Sequence, residues 1–170
     1  MEKMTFHFNE EIKHKVEKRL SLWQEQNIPS RLWNFDPAIW KENDVHEGKW
    51  NGLGGKFERS ETPEECVIRE IKEESGLTIT EPKLKGFITF PMFDGLHDWY
   101  VFVFVADKFT GELIDSAEGN LEWIADEKLL KLNLWDGDQI FLEWLNQDKF
   151  FSAKFFYEKK KLVRHDVSFY

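Results

Sequence analysis

Cysteine is almost absent from this chain of 170 residues: Cys66 stands alone. That excludes an intrachain disulfide framework and a cysteine-built zinc site, and it points to a reducing, cytoplasmic setting. Long apolar runs are missing as well. None approaches the ~18 residues that a bilayer span requires, so no membrane partner is expected. The opening stretch, Met1 to Lys15, has no apolar core of the kind a secretory leader needs. Basic charge is also short, with 23 Lys and Arg against 32 Asp and Glu and a formal net charge of −9. Duplex nucleic acid draws on a basic face and is therefore not an expected partner. A polyphosphate remains possible, provided divalent cations lie between it and the protein.

Aromatic side chains are plentiful, with eight Trp and sixteen Phe. Much of this must be core, because aromatic rings supply the largest burial per residue. Some can line a site that stacks on a flat ligand. Length, 41% apolar and 32% charged content fit a single folded domain. Residues 1–40 carry six basic and six acidic side chains, so the net charge arises from the remainder.

Ile12, Val16, Leu20 and Trp23 recur at helical spacing behind Asn9, which predicts a helix over Glu10–Gln26. An irregular segment through Pro29 and Pro37 is expected to follow. Thr62-Pro-Glu-Glu65 reads as a helix start with a capping box, and Gly76 as its stop, giving a helix over Pro63–Ser75. Lys85–Phe93, Trp99–Val105 and Leu121–Ile124 read as strands, with a turn at Phe93–Asp98. Gly137–Asn146 reads as an amphipathic helix. Ser152–Tyr157 and Lys161–Phe169 read as a final strand pair around Glu158-Lys-Lys. The pattern is mixed α and β, with helices flanking a sheet.

Glutamates crowd the central helix, among them Glu65, Glu70, Glu73 and Glu74. Positions 70, 73 and 74 are spaced i, i+3 and i+4 and share one face, where like charges destabilise a helix unless something neutralises them. Val67 and Ile71 offer a separate apolar face. Fixed carboxylates of this kind suit hard divalent cations, although acidic helix faces are usually only solvated. Gly52-Leu-Gly-Gly-Lys56 lies just before, with backbone freedom for close approach to a ligand and a cation for phosphate. Arg69 stands beside Glu70 and can orient its carboxylate.

Gly55, five residues, Glu61, seven residues, Arg69-Glu70-Ile71, one residue, Glu73-Glu74, one residue, Gly76-Leu77 matches the Nudix box at every defined position. The chain resembles a Nudix hydrolase from Lys41 to its C-terminus, with residues 1–40 as an atypical leading segment. Within the family it is similar to the MutT-like group that cleaves oxidised purine nucleoside triphosphates. The segment Trp50-Asn51-Gly52 resembles the one that carries that group's base-contacting Asn, and Phe90 falls where the group has a pocket aromatic. Trp135-Asp136-Gly137-Asp138 resembles the group's Trp-x-Asp-Asp segment, in which the Trp stacks on the purine and the acids read its edge. Only Asp138 matches an acid of that pair, because Gly137 occupies the other position.

The resemblance implies an α/β/α sandwich with a mixed sheet. It implies a Mg²⁺ site, with Mn²⁺ as a substitute, formed by Glu70, Glu73, Glu74 and the Gly54 carbonyl, with Glu118 as a further acid. Arg69 would orient these acids, pairing with Glu61, and Lys56 is a candidate phosphate contact. The implied reaction releases nucleoside monophosphate and pyrophosphate from substrates such as 8-oxo-dGTP, in nucleotide-pool sanitation. The alternatives are a pyrophosphatase for ADP-ribose or a similar nucleoside diphosphate derivative, and a non-catalytic module that senses a nucleotide. Plain core or turn roles remain open for Asn51, Phe90, Trp135 and Asp138 at this point. Cys66 reads as buried and inert, and His46 and His97 as surface residues.

Overall fold

The computed structural model describes residues 48–114 and 120–170, together with the backbone of one strand, β1 (Ser30–Phe35). The expected helix over residues 10–26, His46 and Glu118 lie outside the described residues. In chain order the further elements are β2 (Trp50–Gly52), α1 (Pro63–Ser75), β3 (Thr78–Thr80), β4 (Lys83–Phe90) and β5 (Trp99–Val105). They continue with β6 (Lys108–Thr110), β7 (Asn120–Ala125), the short α2 (Asp126–Leu129), α3 (Asp136–Trp144), β8 (Phe151–Glu158) and β9 (Lys161–Phe169).

A four-stranded sheet in the order β5-β4-β8-β9 carries the core. Alternation explains its buried face: Phe151, Ala153 and Phe155 point the same way along β8, and Ile88 joins them from the adjacent β4. The β4–β8 pair is parallel, with Gly86 opposite Phe151, and the other two pairs are antiparallel. A parallel pair needs a long crossover. Here the crossover contains the β5 hairpin, β7 and α3, and α3 lays Leu142, Trp144 and Leu145 onto the sheet. The turn between β8 and β9 places Lys159 and Lys160 at φ 49° and 65°. Two positive φ values in a row match the twist that a tight hairpin needs. This is the mixed α/β architecture expected from the sequence.

A second sheet, in the order β2-β1-β7, departs from that expectation. The segment between Pro29 and Pro37 was expected to be irregular, yet Ser30–Phe35 pairs antiparallel with both neighbours, Trp33 opposite Gly52 and Glu122. The two prolines bracket the strand and do not interrupt it, and the residues between them include Trp33 and Phe35, types that favour strands. A two-stranded pair, β3-β6, completes the described topology.

Candidate active site

The α1 helix begins as its sequence dictates. The Thr62 hydroxyl accepts from the Glu65 amide at 3.2 Å and the Glu65 carboxylate accepts from the Thr62 amide at 2.8 Å. Glu65 is thereby committed to the cap, which leaves Glu70, Glu73 and Glu74 as the acids of the helix face. Gly76 closes the helix at φ 78°. The packing of α1 differs from expectation. Val67 and Ile71 are only partly covered, while Cys66, Glu74 and Ser75 are buried.

A glycine loop lies against these acids. The buried Glu74 accepts the Gly54 amide at 3.1 Å, and Gly54 sits at φ 145°, a conformation that side chains avoid. A Cβ on Gly55 would fall 2.4 Å from the Glu70 carboxyl carbon. Position 55 therefore has to be glycine for Glu70 to stay where it is.

Arg69 ties the group together. Its Nε and Nη2 donate to the two Glu61 oxygens at 2.6 and 2.9 Å, a bidentate fork. Nη1 donates to Glu70 at 2.8 Å and to Glu73 at 3.1 Å, and Nη2 also reaches the Lys56 carbonyl at 3.1 Å. The Arg69 hydrogen bond is the main reason that the Glu61 carboxyl is held down to about 2. The expected Glu61–Arg69 pair is present. The Lys56 side chain is exposed, and what the site uses here is its carbonyl.

Among the described residues, no three His, Cys, Asp or Glu side chains converge tightly enough to hold a metal ion together. Glu70 and Glu73 turn toward Arg69, and Glu74 turns toward Gly54. The donor set nevertheless suits a hard cation, since it is all oxygen, sits on one helix face and borders the space kept open by Gly55. Neutralised carboxylates are also the condition under which three acids can share a helix face.

The second half of the site is aromatic. Trp135, only 6% exposed, meets Phe93 and Tyr157 edge-on at 5.2 and 5.7 Å. Phe90 packs on Phe93 at 5.4 Å, on Phe155 at 5.8 Å and on Tyr157 at 6.2 Å, and Phe93 also meets Trp99 at 5.3 Å. Phe90 is thus core on one side and box wall on the other. The β2 edge is tied to the segment before Trp135. The Trp50 amide donates to the Asn133 carbonyl at 3.1 Å, and Lys49 Nζ donates to the Asn133 side chain and the Leu134 carbonyl at 3.0 and 2.8 Å. The Lys49 ammonium also lies 5.1 Å from the Trp135 ring centre. Asn51, half-buried, follows directly on that tied edge.

Asp138, in the first turn of α3, keeps some exposure as a residue, but its carboxyl is set deep among protein atoms. Desolvation pushes it up to about 7, against a backbone hydrogen bond at Trp135 and the charge of Lys49. The structure therefore brings Phe90, Trp135 and Asp138 to one aromatic box and Glu70, Glu73, Glu74 and Arg69 to one acid cluster. Sequence reasoning passed over Phe93, Lys49 and Tyr157. Alternation along β8 is the signal that finds Tyr157, which falls in step with Phe151, Ala153 and Phe155. His97 is exposed as expected, with its Nδ1 3.1 Å from Asp94.

The family model for the NUDIX domain matches residues 37–145. The chain belongs to the Nudix family. An uncharacterized Nudix hydrolase of Bacillus subtilis (strain 168) is 40% identical over 124 residues, which is 71% of this chain and 78% of that protein. The oxidized purine nucleoside triphosphate hydrolase of Danio rerio is 34% identical over 127 residues, 75% of this chain and 78% of its own length. Among solved structures, a mutator MutT protein from Bacillus halodurans superposes with a TM-score of 0.72 at 30% identity. That match covers 82% of this chain and 90% of the other. The Nudix fold and membership among Nudix hydrolases follow from these likenesses. No helix among the described residues is long and apolar enough to cross a membrane.

Proposed function

We propose that this Nudix hydrolase cleaves purine nucleoside triphosphates, with 8-oxo-dGTP as the leading substrate, to nucleoside monophosphate and pyrophosphate. The role would be sanitation of the nucleotide pool in the cytoplasm. The observation that carries the reading is the combination of acids held by Arg69 with an aromatic box of Phe90, Phe93 and Trp135 and the buried Asp138 carboxyl.

Glu70, Glu73, Glu74 and the Gly54 carbonyl, with Glu118, would hold Mg²⁺ or Mn²⁺. When bound, such an ion supplies Lewis acidity toward phosphoryl oxygens and offsets the polyphosphate charge. The protein's own groups do the rest. Trp135 and Phe90 hold the base, and Asn51 and Asp138 contact its polar edge. Lys56 approaches the phosphates. One glutamate of the cluster takes the proton from the attacking water as its oxygen bonds to phosphorus and the α–β bridging P–O bond breaks. Arg69 keeps the acids oriented throughout.

A Mg²⁺-dependent product assay with dGTP, 8-oxo-dGTP and ADP-ribose tests this, with pyrophosphate resolved from orthophosphate. Pyrophosphate and monophosphate, formed fastest from 8-oxo-dGTP, are the expected products. AMP from ADP-ribose as the faster reaction would move the substrate class while keeping the acid cluster. Unchanged turnover in Glu74→Gln would sink the acid-helix mechanism. A chain that binds the triphosphate without turnover would be a sensing module.

A further inference from the structure

The box holds a second polar group that neither the motif nor the family likeness assigns. It rests on the reading of the box as the nucleobase site. Gly137, at which the sequence departs from the Trp-x-Asp-Asp segment it resembles, is buried. Its amide donates to the Tyr157 hydroxyl at 2.7 Å. A Cβ on Gly137 would lie 2.8 Å from that same oxygen and 2.9 Å from the Phe155 ring. The phenol oxygen, delivered from β8, therefore occupies the space in which a side chain at 137 would begin. The Tyr157 ring is part of the box, edge-on to Phe93 at 5.1 Å and to Trp135 at 5.7 Å. The charges of Asp138 and Asp136 add to burial in disfavouring ionisation of the hydroxyl.

We propose that Tyr157 is a specificity-determining residue of this site, its hydroxyl replacing the acid missing at Gly137 and reading the purine edge together with Asp138. The hydroxyl accepts from Gly137 and so keeps its own proton to donate. An exocyclic carbonyl oxygen or an unprotonated ring nitrogen of the purine is its natural partner. Two neighbouring acids must share a proton to offer a donor, whereas a phenol offers one at any pH near neutrality. Burial moves the Tyr157 hydroxyl further from ionisation. The glycine and the tyrosine form one compensated pair: an acid at 137 and a hydroxyl at 157 exclude each other sterically.

The test is steady-state kinetics on the full chain with Mg²⁺ and dGTP, 8-oxo-dGTP or dATP. In Tyr157→Phe, KM for the favoured purine is expected to rise about tenfold, the worth of one good hydrogen bond, and the preference over the other purines to fall with it. A preference ratio within twofold of wild type overturns the proposal. Removing one oxygen from a partly buried ring leaves the packing in place, so the circular dichroism spectrum and denaturant midpoint of Tyr157→Phe are expected to match wild type, and the kinetics then report on the hydroxyl alone. An equal rise in KM for all three purines overturns the proposal. Trp135→Ala separates this from the underlying reading. If it leaves KM for every nucleotide unchanged, the base does not bind in the box. If it raises KM for all while Tyr157→Phe changes no ratio, only the Tyr157 assignment fails.

Discussion

Glu70 occupies the space that any side chain at Gly55 would need: an added Cβ would stand 2.4 Å from its carboxyl carbon. Gly55→Ala should therefore displace Glu70 without unfolding the chain, because the loop around it is exposed. Misplacing a reacting group by about 1 Å can cost about 100-fold. Turnover of the best triphosphate should fall by about that factor, with an unchanged circular dichroism spectrum. Turnover within threefold of wild type would show that Glu70 is not needed where it stands.

Arg69→Lys tests the fork. Lysine keeps the charge but cannot donate to both Glu61 oxygens while also holding Glu70 and Glu73. Loss of an orienting partner of this kind typically costs about 10–100-fold in activity or metal affinity. Turnover measured across a Mg²⁺ titration should show that loss, with the half-saturating Mg²⁺ concentration raised. A wild-type titration curve would reduce Arg69 to a surface ion pair.

Much of this cluster was legible in the sequence. The capping residues and Gly76 bounded α1 correctly because helix ends obey local rules. The pairing of Glu61 with Arg69 was implied by the family resemblance and not by helical spacing, since Glu61 precedes the helix and stands eight residues from Arg69. The carboxylate directions were not legible. Nothing in i, i+3, i+4 spacing says that Glu74 turns inward to the Gly54 amide, whereas the commitment of Glu65 to the cap was readable from the capping box. The β1 strand was missed because Pro29 and Pro37 read as loop markers, while its pairing is decided by β2 and β7, far along the chain. Tyr157 was missed for the same reason, since its role depends on Gly137 across a tertiary contact.

Asp138 predicts a pH dependence of stability. Its carboxyl is raised from 3.8 to about 7 in the folded chain by burial, with a backbone hydrogen bond at Trp135 and the charge of Lys49 opposing. Between those values the folded protein binds a proton that the unfolded chain has released. The contribution is thus full below 3.8 and is lost as pH rises through about 7. Relative to Asp138→Asn, wild type should lose about 2 kcal/mol between pH 5 and pH 8, read from urea unfolding. Parallel profiles for the two proteins would mean that the carboxyl ionises as if exposed.

Gly86 and Phe151 predict a packing effect in the main sheet. The Phe151 ring is fully buried against Gly86, and a Cβ there would come within 2.3 Å of it. Gly86→Ala should destabilise by about 1–3 kcal/mol through overpacking. In a Phe151→Leu background the same change should cost less, because the ring that it strikes is gone. Equal costs in the two backgrounds, measured by denaturant midpoints, would mean that the sheet shifts freely at this point.

The parallel pairing of β4 with β8 has a consequence for synthesis. The acid helix and its glycine loop come from one contiguous stretch, whereas the aromatic box waits for Tyr157 on β8. A chain emerging from the ribosome presents all three helix-face glutamates while β4 still lacks its neighbour. The acid cluster is thus translated first and the aromatic box last. A nascent chain halted before β8 would carry the acids with neither the central core strand nor a complete aromatic box.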